Sequence, residues 1–93
     1  MAWYQIISSQ GNSFAADREA EDLIRRFSAA FRDTEVPVDT KVFYGRTPFG
    51  SRVYYFSLSP EAFAIAESVL DSYEVTMLAE PPDLTGMQQI RGV

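Results

Sequence analysis

Chemistry near neutral pH needs side chains that ionise, attack or ligate there, and this sequence offers a narrow set. It holds 13 Asp and Glu and five Tyr, but neither His nor Cys. That composition excludes thiolate zinc sites, disulfide frameworks, Cys nucleophiles and every Ser-His arrangement. Carboxylates remain, and Asp17/Glu21 and Glu67/Asp71 stand four residues apart. Paired acids can share a proton or hold a cation when they are buried together. Here they fall on the polar faces of amphipathic segments, where solvent meets them, and no loop gathers several acids as a calcium site does. The expectation is no metal, no cofactor and no catalytic residue. Tyrosine alone is a poor general base near neutrality, so an enzyme is not the favoured reading.

The segment Ser8-Ser9-Gln10-Gly11-Asn12-Ser13 leads from a strand pattern into a helix pattern. Backbone N–H groups at such a junction favour anions. A phosphate-handling loop would add an arginine, and this one has none, so it reads as a turn with an N-cap. The aromatic residues say more. Trp3, Phe43, Tyr54, Tyr55 and Phe56 lie on extended segments, and a sheet with one open face must expose some of them. Exposed rings in a patch mark a binding surface. Beside them, Arg46, Phe49 and Arg52, with Lys41, frame a Pro48-Phe49-Gly50 turn, a basic-aromatic finger suited to an acidic partner. Val53-Tyr54-Tyr55-Phe56 lacks the glycines and flanking basic cluster of an RNA-stacking strand.

Those residues need elements to hold them. Trp3 to Ser9 reads as a first strand. Residues 14–33 form a helix whose Ala16, Ala20, Leu23, Ile24, Phe27, Ala30 and Phe31 fall on one stripe, with Arg18–Asp22, Glu21–Arg25 and Asp22–Arg26 on the other face. Pro37 breaks it. Val38–Tyr44 and Arg52–Leu58 read as a hairpin joined by a seven-residue loop. Ser59-Pro60-Glu61 is a helix start, with a capping Ser, Pro at the first helical position and an acid in the first turn. That helix runs to about Ser72, and Tyr73–Ala79 makes a fourth strand, stopped by Pro81-Pro82. The order predicts an α+β, ferredoxin-like βαββαβ fold: a four-stranded antiparallel sheet, order 4-1-3-2, with two helices on one face. Residues 1–82 form one domain, and 83–93 form a tail able to add a short edge strand through Met87–Ile90. Which strand face turns outward is left open, because a one-residue slip exchanges the faces.

Charge is divided unevenly. Residues 1–52 carry seven bases and seven acids; residues 53–90 carry Glu61, Glu67, Asp71, Glu74, Glu80 and Asp83 and no base. The net of −5 weighs against nucleic acid as a partner. No membrane span or signal peptide is read, so the expected location is cytoplasmic. The functional expectation is a small non-enzymatic interaction or regulatory module, a homodimer or bound to a protein partner through its aromatic sheet face. One alternative is a small-molecule binder of the dimeric α+β barrel type, with Tyr4, Tyr44, Tyr54 and Tyr55 as polar groups. The other is an acidic inhibitor that mimics nucleic acid.

Overall fold

A computed structural model describes residues 2–8, 13–32 and 41–90. The turn at 9–12, the break at Pro37 and the first residues of the expected second strand lie outside them. The elements are β1 (Ala2–Ile7), α1 (Ser13–Phe31), β2 (Val42–Arg46), β3 (Arg52–Leu58), α2 (Pro60–Glu67), β4 (Val75–Leu78) and β5 (Gln88–Ile90). All pairings are antiparallel, in the order β4-β1-β3-β2-β5. The sheet therefore has five strands rather than four. The added strand is β5, which pairs with β2 on the edge opposite β4.

Register follows from the helices. Ala20, Leu23 and Phe27 of α1 and Ala62 and Ala66 of α2 pack into one core with Tyr4, Ile6, Val42, Tyr54, Phe56 and Leu58. Successive strand residues alternate between faces, so the even-numbered positions of β1, β2 and β3 turn toward the helices. Aromatic contacts tie the layers together. Tyr4 stacks on Phe63 of α2 with ring centroids 4.2 Å apart, and Phe27 of α1 meets Phe56 edge-on at 5.2 Å.

Ser59 caps α2 as its sequence demands, accepting from the Ala62 N–H at 3.2 Å, with Pro60 at the first helical position. The helix ends at Glu67, earlier than its apolar pattern suggests. The Ser68 hydroxyl donates back to the Ile65 carbonyl, a local bond that competes with continued helix. β4 is shorter too, because Tyr73 is drawn out of line to bond Asp22 on α1. β2 instead runs on through Gly45 and Arg46, so the hairpin loop shrinks to residues 47–51.

Candidate functional site

The face away from the helices is built from alternate strand positions. β1 sends Trp3, Gln5 and Ile7 there, β3 sends Val53, Tyr55 and Ser57, and β2 sends Phe43. Thr76 and Leu78 come from β4 and Gln89 from β5. None of these side chains is charged, in a chain that is 23% charged. Trp3 and Phe43 reach each other across β3, ring centroids 6.4 Å apart, because the residue between their strands at the Trp3 level is the small Ser57. Trp3, Phe43, Tyr55 and Leu78 are half-buried, and Ile7 is 51% exposed.

One end of this face has a cover. β4 and β5 are opposite edges of the sheet, so residues 79–87 must cross its width. Pro82, Leu84 and Met87 are half-buried, while their neighbours in that strap are exposed. Met87 lies directly on Gly45: a Cβ there would stand 2.9 Å from the Met87 methyl. Gly45 therefore belongs to β2 and lies beneath Met87, inside the stretch expected as hairpin loop. The strap leaves Val53 only 3% exposed and encloses a cleft of about 280 Å³ with Arg46, Tyr55, Asp83 and Thr85 on its walls. Asp83 accepts from the Thr85 N–H at 2.9 Å, and this bond holds its carboxyl below the ordinary range.

The other expected interaction residues separate. Tyr54 and Phe56 are withdrawn from the surface, since both sit in the core with no exposure. Arg52 leaves the finger as well. It turns under α1, is 12% exposed, pairs with Asp17 at 2.6 Å and lies over the Tyr44 ring at 5.0 Å. Lys41 precedes β2 at the end of the sheet far from the turn. Only Arg46 stays beside the tip, donating to the Gly50 carbonyl at 3.1 Å. Phe49 stands at that tip, 96% exposed. Thr47 and Ser51 close the turn at 2.7 Å, and Gly50 adopts φ 86°, which an L side chain resists.

Sequence reasoning missed two arrangements. The first is a polar hub between α1 and the turn before β4. Asp22 accepts from Arg26 at 2.8 Å and from the Tyr73 hydroxyl at 2.9 Å, and Arg26 also donates to the Val69 carbonyl at 2.8 Å. Burial alone would raise the Asp22 carboxyl, but the Tyr73 and Arg26 bonds and the nearby arginine charges hold it low. The i,i+4 spacing of Asp22 and Arg26 was the only signal. The second is a groove of about 410 Å³ between α1 and β2–β3, floored by Ala20 and Ile24 and rimmed by Asp17, Glu21, Arg25, Tyr44 and Arg52. Of the four tyrosines expected in a small-molecule pocket, only Tyr44 lines it; Tyr4 and Tyr54 are core, and Tyr55 is on the open face.

Two phenols are far from neutral-pH chemistry. Burial, with the Glu19 charge adding to it, pushes Tyr54 up to about 12 against the pull of Arg52. Burial and the bond to Asp22 push Tyr73 up as well. The six acids of residues 53–90 are all exposed but divided: Glu61 and Glu67 ride α2 on one side of the sheet, and Asp83 rides the strap that crosses the other. Among the described residues no group of acids could hold a metal ion, and no helix is long and apolar enough to cross a membrane. Searches of protein-family models, curated proteins and solved structures gave no match to this chain.

Proposed function

We propose that this chain is a small non-enzymatic interaction module that self-associates by docking its open sheet face against that of a second copy. The first four strands and two helices act as a ferredoxin-like unit, and β5 with its strap is an addition to it. The observation that carries the reading is the absence of charge from the described strand positions of that face, together with its Trp3–Phe43–Tyr55 row. Interface centres are depleted of charge and enriched in aromatic residues. The row itself carries no charge, so two copies of net charge −5 can meet there with Asp83 of the strap and the remaining acids outside the row.

Two features favour binding over catalysis. The most perturbed phenols, Tyr54 and Tyr73, are shifted away from neutrality, the wrong direction for acid–base work. Arg25, Arg26 and Arg52 are engaged with acids of the same chain, so stacked bases would find few cations for their phosphates.

Trp3 is the single tryptophan and lies on the proposed interface, so its emission reports docking directly. In a concentration series the scattering mass should climb from 10.5 kDa while the Trp3 emission shifts to the blue. Tyr55→Glu should abolish the emission shift by placing a charge in the row. Met77→Glu, at an exposed position on the other face, should leave it intact. Emission that ignores concentration, at a constant 10.5 kDa, would sink the reading.

A further inference from the structure

We infer that the Phe49 tip is a second self-association element, and that it seats in the α1/β2–β3 groove of another copy. Phe49 has its ring almost wholly in water on a turn that is already fixed. The Thr47 N–H reaches the Ser51 carbonyl at 2.7 Å, the Gly50 N–H reaches the Thr47 carbonyl at 2.9 Å, and Arg46 clamps the Gly50 carbonyl. A ring held in this way loses little freedom on binding, and aromatic anchors in pockets are where interface energy concentrates.

The groove offers what such a tip needs. Ala20 and Ile24 give it an apolar floor, and its volume of about 410 Å³ exceeds what a phenyl ring fills. Of its rim acids, Asp17 is engaged by Arg52, whereas Glu21 is exposed and makes no ion pair among the described residues. Arg46, the cation next to the tip, complements Glu21. Arg52 lines the groove and begins the strand that leaves the turn, so tip and groove share one end of the sheet. A two-fold axis at that end lets each copy give its Phe49 and receive its partner's, which closes the contact. This inference stands apart from the sheet-face reading, because the groove is on the helix side.

The test is a nuclear magnetic resonance titration on the full chain carrying Tyr55→Glu, which silences the sheet face. Unlabelled Tyr55→Glu protein is added to an isotope-labelled copy that also carries Phe49→Ala. Its groove is intact, so the Ala20, Ile24 and Tyr44 signals should move. When the unlabelled copy carries Phe49→Ala as well, they should stay still. Glu21→Arg in the receiver should weaken binding roughly tenfold or more by setting a like charge against Arg46, whereas Glu21→Asp should keep most of it. Groove signals that do not respond to an intact tip, or a Glu21→Arg receiver that binds as well as before, overturn the inference. So does movement of the labelled copy's signals only outside the groove, which would seat the Phe49 tip on another part of the chain.

Discussion

Tyr54 has no solvent exposure, its hydroxyl bonds Arg52, and the Glu19 charge adds to the cost of ionising it. The folded phenol is therefore raised to about 12 from an ordinary 10. Below pH 10 both folded and unfolded chains keep the proton, and the full stability is present. Between pH 10 and 12 the unfolded phenol ionises first, so the unfolded state binds fewer protons and stability falls as pH rises. Two pH units correspond to roughly 2–3 kcal/mol at the top of that window. Tyr73 is raised too and adds a loss of the same sign. Urea unfolding from pH 9 to 12 should show this decline, and Tyr54→Phe should flatten it while costing about 1 kcal/mol at neutral pH for the lost hydroxyl bond. An unchanged slope in the variant would mean that Tyr54 ionises before the chain unfolds.

At the scale of elements, β5 is the one held most lightly. Three residue pairs join it to β2, helped by a bond from the Tyr44 hydroxyl to Gln88 and by Met87 on Gly45. Gly45→Ala should be tolerated, because the nearest atom is the flexible end of Met87, but Gly45→Val should push the strap off the sheet. Amide exchange at residues 88–90 should then accelerate by about tenfold or more with β1 and β3 unaffected; protection that persists would show that the notch is not what seats the strap. Helix α2 is held differently, by its cap, and Ser59→Ala should cost about 1 kcal/mol in urea unfolding. These two elements also mark what the sequence makes legible. Ser59-Pro60 and the run from Arg52 to Leu58 carry local signals strong enough to place α2's start and the whole of β3. The faces of β3 were not legible, because Val53, Tyr54, Tyr55 and Phe56 are apolar or aromatic on both sides, and alternation carries no contrast. Only the packing of α1 and α2 decides that Tyr55 faces outward and Tyr54 inward. The strap's seat on Gly45 and the turn of Arg52 toward Asp17 depend on partners 42 and 35 residues away along the chain, beyond any local pattern.

For the whole molecule, the size of the open face sets how strongly it can act. The 22 residues of β1 to β4, each about 3.3 Å along its strand and 4.8 Å across, make a footprint of roughly 350 Å². Doubling it for side-chain relief still leaves less than the ~800 Å² per partner of a standard interface. On the proposed docking, the sheet face alone would hold only a dimer that dissociates on dilution. A second contact changes the outcome, since two different two-fold interfaces on one chain build either a closed tetramer or an open chain. The proposed sheet-face and Phe49 contacts would lie on opposite sides of the sheet, so one copy could make both at once. Scattering on the unmodified chain should therefore pass through twice 10.5 kDa and continue upward at high concentration. Phe49→Ala should stop at two copies through the sheet face, Tyr55→Glu should stop at two copies through the tip, and the double variant should remain at 10.5 kDa throughout. A closed tetramer levels off at four copies, whereas an open chain keeps growing, so the shape of the curve also tells whether the two axes close. If the unmodified chain halts at two copies and Phe49→Ala leaves its curve unchanged, the sheet face acts alone.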